Sequence, residues 1–122
     1  MTVDQLAARY FAMWNTGETH GIGDLLHPSW RDHAHPEVTG PDAVARSIAT
    51  IRAARPDLRF HVDTVLTATD DLDTAQERPP AGSVVAVVGR ADLGPPTEPS
   101  HLMWLFRVED GRLAEMWTYH RT

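Results

Sequence analysis

Seven histidines, two tyrosines and a closely spaced Arg-Ala-Asp are the side chains of this 122-residue chain best suited to chemistry near neutral pH. An imidazole, with an ordinary pKa near 6.5, can take and return a proton there, so the histidines are candidates for base and acid. Tyr10 lies on the apolar stripe of the N-terminal segment. A buried phenol, neutral at pH 7, can stabilise a developing oxyanion by donating a hydrogen bond. Arg90 and Asp92 stand two residues apart in an apolar run. Strand alternation puts both on one face. Four tryptophans, Trp14, Trp30, Trp104 and Trp117, are enough to wall an aromatic cavity that stacks on a flat guest. His61 and His101 add further proton carriers on strand patterns.

Other chemistries lack their residues. With no cysteine there is no disulfide, thiolate zinc site or cysteine nucleophile. No glycine-rich phosphate loop and no Gly-x-Ser-x-Gly elbow occurs. His33-x-His35 supplies two imidazoles without the further converging ligands that zinc or iron requires, so no metal site is expected.

The elements that position these side chains read as helices followed by strands. Thr2 and Gln5 have capping-box spacing, and Leu6, Tyr10 and Met13 with Ala7, Phe11 and Trp14 form a wide apolar stripe ended at Gly17. A short second helix carries Ile22, Leu25 and Leu26 up to His27-Pro28, and a brief strand covers 30–34. Gly40-Pro41 opens a third helix with Val44, Ile48 and Ile51 at i, i+4, i+7, closed by Arg55-Pro56. Segments 58–67, 83–93, 101–109 and 112–120 read as longer strands, the last two joined by Asp110-Gly111, a pair suited to a primed two-residue turn. This order argues for an α+β fold, and 122 residues suit one domain, 1–122. The connection 70–82 reads as a polar, solvated excursion and 94–100 as a stiff, proline-rich one. On the last strand, alternation leaves two phases open. Either Thr118 and His120 or Tyr119 and Arg121 point inward, depending on a bulge.

The charge balance, 17 acidic against 11 basic residues for a net −6, opposes binding to nucleic acid or an anionic membrane. The apolar runs are too short to span a bilayer, and the chain begins on a helix start rather than a signal peptide, which makes the cytoplasm the expected location.

In order, Trp14-Asn15-Thr16-Gly17, Trp30-Arg31-Asp32-His33, Gly40, Arg55-Pro56-Asp57-Leu58 and Phe106 to Gly111 with Trp117 resemble the SnoaL-like polyketide cyclases. These are relatives of ketosteroid isomerase, limonene epoxide hydrolase and the nuclear transport factor 2 proteins. The resemblance covers nearly the whole chain. It implies a cone-shaped, curved mixed or antiparallel sheet wrapped around one pocket and closed by three N-terminal helices. It implies a cofactor-free enzyme that cyclises or isomerises an apolar, oxygenated, polyketide-like small molecule in a natural-product pathway such as antibiotic biosynthesis. Homodimerisation through the outer sheet face is expected on the same ground.

Carried over residue by residue, Tyr10 matches the isomerases' oxyanion donor and His33 the place of their carboxylate base. His120 falls near the cyclases' last-strand acid. Trp104 replaces a second isomerase acid. Substrate contacts are expected from Trp14, Trp30, Phe60, Arg90, Asp92, His101, Trp104, Trp117 and Tyr119. Arg90-x-Asp92 also resembles the epoxide hydrolases' pair, though Tyr119 stands where their second carboxylate belongs. Two alternatives therefore stay open beside the cyclase reading: epoxide hydrolysis through Arg90 and Asp92, or a pocket that binds without catalysis.

Overall fold

Thr2 opens α1 (Val3–Thr16) with a reciprocal cap: its hydroxyl accepts from the Gln5 backbone N–H at 3.2 Å, and the Gln5 side chain accepts from the Thr2 N–H at 2.8 Å. Gly17 ends the helix in the left-handed region at φ 78°, its N–H returning to the Met13 carbonyl. Between the caps, Leu6, Ala7, Tyr10, Phe11 and Met13 are buried along one stripe. The computed structural model describes residues 1–68 and 83–121, so the excursion read at 70–82 lies outside the described residues.

The second helix is shorter than its apolar spacing suggests. It spans α2 (Ile22–Leu25), and Leu26 already belongs to β1 (Leu26–Asp32). The restriction that Pro28 places on His27 favours extended backbone here, and the strand starts earlier than the 30–34 of the sequence reading. Pro28 is tolerated because β1 is an edge strand with an irregular register between Leu26 and Arg31. The third helix, α3 (Pro41–Ala54), begins at its proline as expected.

The remaining strands are β2 (Arg59–Ala68), β3 (Val84–Asp92), β4 (Ser100–Glu109) and β5 (Arg112–His120). They form one mixed sheet ordered β1-β5-β4-β3-β2, with β1 parallel to β5 and the other pairs antiparallel. Asp110 and Gly111 join β4 to β5 at φ 52° and 73°, the two positive angles of a type I′ turn.

Two register shifts set which side chains face inward. One lies in β2 between Val62 and Thr64, the other against β5 between Arg107 and Val108, where Ala114 is the extra residue. Such bulges bend a strand and strengthen its twist, consistent with a curved sheet. The inner face carries Phe60, Val85, Val87, Leu102, Trp104, Phe106 and Val108, and α1 packs on β2, β3 and β5. On the outer face Leu66, Val88 and Tyr119 are exposed. Among the described residues, no helix is long and apolar enough to cross a membrane.

Candidate active site

The register that follows the β5 bulge pairs Trp104 with Thr118, Phe106 with Met116 and Leu102 with His120. Since Leu102, Trp104 and Phe106 form the buried side of β4, Met116, Thr118 and His120 share that side, which closes the choice of phase left open by the sequence. The cavity, open to solvent on one side, measures about 440 Å³, within the roughly 300–1,000 Å³ common for small-molecule sites. Its walls include Tyr10, Phe11, Trp14, Trp30, Phe60 and Trp104, and its polar groups include Asp32, His35, Thr118 and His120.

Helical spacing turns Tyr10 inward from α1. Its ring meets Phe106 at 5.2 Å, Phe11 at 5.3 Å and Trp30 at 5.6 Å between centroids. Burial pushes the Tyr10 phenol well above its ordinary pKa, the Asp32 charge adds to the rise, and a hydrogen bond with Trp14 partly offsets it. Tyr10 is therefore a neutral donor throughout the neutral range.

That shift has a consequence for stability. Unfolded Tyr10 ionises near pH 10 while the folded phenol keeps its proton, so the contribution is complete below pH 10 and is lost as pH rises beyond it. The chain has no lysine or cysteine, and its other tyrosine, Tyr119, is 47% exposed. Urea unfolding from pH 8 to 11 is expected to show stability falling above pH 10, with the fall strongly reduced in Tyr10→Phe. An equal fall in both proteins sinks the assignment.

Asp32 ends β1, paired with Met116, and its side chain is 12% exposed. One carboxylate oxygen accepts the Ala34 backbone N–H at 2.9 Å, an Asx turn that stops the strand. The other lies 3.2 Å from His35 Nδ1. The His35 N–H donates to the Asp32 carbonyl and the Val38 N–H to the His35 carbonyl, folding the chain back beside β1. Asp32 and His35 thus line the cavity that Tyr10 enters from the opposite element.

Of the residues expected at the site, Tyr10, Trp14, Trp30, Phe60, Trp104 and His120 line the cavity. The others do not. His33 lies one position beyond Asp32 and alternation sends it to the outer face, where it stacks on Trp117 at 4.7 Å and bonds Glu115 at 2.7 Å. Trp117 leaves the cavity lining with it. The Arg107 guanidinium, and then His33, hold the Glu115 carboxyl below its ordinary pKa, marking this as a surface ion network.

Arg90 and Asp92 do share a face, as their spacing requires, but Gly89 and Ala91 occupy the inward positions. Arg90 stands 4.0 Å from Asp63, and Asp92 accepts the Gly94 N–H at 2.9 Å. His101 pairs with Arg90, and Tyr119 with Met103, on that same outer side. Asp32 and His35 are the functional candidates the sequence reading missed. Among the described residues one trio, His27, Glu109 and Asp110, brings potential metal-binding atoms within 4.8 Å of one another, away from the cavity. His27 Nδ1 accepts the Ser29 N–H at 3.1 Å, which leaves its proton on Nε2 facing Asp110, and Glu109 is bonded to Arg107 at 2.9 Å. Those partners already occupy the trio.

The sequence profile described as "SnoaL-like domain" matches residues 7–116. No curated protein matches the chain. Among solved structures, TsrD from Streptomyces laurentii is 21% identical at a TM-score of 0.69, covering 97% of this chain and 87% of its own. A SnoaL-like polyketide cyclase from Agrobacterium tumefaciens C58 is 11% identical at 0.67, covering 100% and 93%. A protein of cystatin-like fold from Methylobium petroleophilum PM1 is 10% identical at 0.74, covering 98% and 75%. At these identities the structures share the fold.

Proposed function

We propose that this chain, which belongs to the SnoaL-like domain family, is a cofactor-free enzyme that cyclises or isomerises an apolar, oxygen-bearing small molecule of the polyketide kind, in a natural-product pathway. One observation carries the reading: Tyr10, the Asp32–His35 pair and His120 meet at a single aromatic-walled cavity. The fold shared with a protein described as a SnoaL-like polyketide cyclase supports it.

Aromatic walls hold a flat guest by area and stacking, and the few polar groups fix its orientation. A carbonyl oxygen beside Tyr10 gains a hydrogen bond that strengthens as negative charge develops on it. The Asp32–His35 pair accepts the proton released from the neighbouring carbon, and the electron pair of that C–H bond moves onto the oxygen. Two outcomes follow from the enolate. His120 returns a proton at a carbon conjugated with the enolate, which isomerises the guest, or the enolate carbon bonds to a second carbonyl, whose π electrons move to its oxygen and take that proton as the ring closes. Arg90 and Asp92 lie outside the cavity lining, which favours the acid/base reading over epoxide hydrolysis through that pair.

The test is exchange of the acidic C–H protons of 2-tetralone, a flat bicyclic ketone, followed by NMR in D₂O. The protein is expected to accelerate exchange over buffer, Tyr10→Phe to lower the rate about 100-fold, and His33→Ala to stay within about twofold because a surface-facing group contributes nothing to proton transfer. Exchange no faster than in buffer, or unaffected by Tyr10→Phe, overturns the acid/base reading and leaves a pocket that binds without catalysis.

A further inference from the structure

Within that acid/base reading, on which this step rests, we infer that the atom that carries the proton is His35 Nε2, with Asp32 as its positioning residue. An ionised carboxylate only accepts hydrogen bonds. With one Asp32 oxygen on the Ala34 N–H and the other 3.2 Å from His35 Nδ1, the ring hydrogen belongs on Nδ1 and the free lone pair on Nε2. The turn through the His35 and Val38 backbone N–H groups holds the imidazole at the cavity edge. This is the relation of base to orienting carboxylate that makes an imidazole an effective proton acceptor.

Exposure separates the two candidates further. The His35 side chain is 63% exposed and that of Asp32 only 12%. Both groups line the cavity, but the more exposed imidazole is the one that can readily exchange its proton with water. Among the described residues, the other ionisable groups lining the same cavity are Tyr10 of α1, Asp32 of β1 and His120 of β5.

The step balances without any co-reactant. The C–H bond beside the carbonyl breaks, its proton goes to Nε2, and its electron pair moves to the carbonyl oxygen, which accepts from Tyr10. The resulting imidazolium is paired with the Asp32 carboxylate. Nε2–H then returns its proton to the guest or exchanges it with water, so deuterium from solvent enters the product.

The 2-tetralone exchange assay in D₂O separates the alternatives. In His35→Gln the amide can still donate to Asp32 but has no basic nitrogen, and the rate is expected to fall about 10³-fold, within the range for general-base catalysis. His35→Ala is expected to fall equally and to regain at least about tenfold when imidazole is added, with no recovery on adding formate. If His35→Ala does not fold, His35→Gln alone decides. A wild-type rate in His35→Gln, or formate restoring Asp32→Gly where imidazole fails to restore His35→Ala, makes the carboxylate the base and overturns this assignment alone. No acceleration by the wild-type protein overturns the assignment and the acid/base reading together.

Discussion

Asp32→Asn is expected to lower the 2-tetralone exchange rate about 10³- to 10⁴-fold, the scale seen when an orienting carboxylate is replaced by its amide, while leaving the fold and the cavity in place. The substitution is nearly isosteric. The new side-chain amide would keep a carbonyl oxygen to accept the Ala34 N–H, so the Asx turn ending β1 survives. At the other position, 3.2 Å from His35 Nδ1, an acceptor becomes an N–H donor. Facing a donor, Nδ1 presents its lone pair and the ring hydrogen moves to Nε2, the atom needed as acceptor. The imidazolium formed in the step also loses its counter-charge. Circular dichroism and thermal unfolding should match the wild-type protein while the exchange rate collapses. A loss under about tenfold, in a protein that remains folded, would mean that the Asp32 contact neither orients nor compensates the base.

The same pair shows what in the site was legible beforehand and what was not. Both ends of α1, the limits of α3 and the Asp110-Gly111 turn follow from local chemistry: a capping box, a left-handed glycine, a proline at a first turn and two positive φ angles. Strand facing is less local. Trp30 and His33 differ by three positions, so alternation forbids both from sharing one face, and burying Trp30 selects Asp32 instead. That signal was present in the sequence, since a tryptophan inside a short strand fixes the phase. His35 carried no comparable signal. Its return to the cavity depends on the turn made by the Asp32 side chain, which ends the strand and its alternation together.

For Arg90 and Asp92, spacing showed that they share a face but not which one. The inward positions go to Gly89 and Ala91, in phase with buried Val85 and Val87, and β2 lies against Gly89 so closely that a side chain there would meet its backbone, a tertiary fact absent from the Arg-Ala-Asp triplet. On β5 the phase turns on a single extra residue, Ala114, and such a bulge has no strong sequence mark.

That close approach at Gly89 also makes it the position where one methyl group should do most damage to the fold. A Cβ built on Gly89 overlaps the His61 carbonyl oxygen and falls 3.3 Å from the Trp104 ring. The first neighbour is backbone, so no rotamer change relieves it. β2 must move away from β3 next to the bulge between Val62 and Thr64, disturbing the ladder that pairs Gly89 with Val62 and Arg90 with His61. Overpacking that displaces backbone costs about 3 kcal/mol, a large part of the roughly 5–15 kcal/mol that holds a small domain folded. Gly89→Ala is therefore expected to lower Tm by about 10 °C or more. Gly23, within α2, is the matched control: its added Cβ meets nothing within 4 Å, so Gly23→Ala is expected to leave stability unchanged or raise it by about 0.5 kcal/mol. The damage should reach the site as well, since Phe60 beside His61 and Trp104 across from β3 are both cavity walls. Thermal unfolding and 2-tetralone exchange measured on both variants test the link. A Gly89→Ala protein melting within about 2 °C of wild type would show that β2 yields without strain, and that glycine is not what fixes the spacing of the two walls.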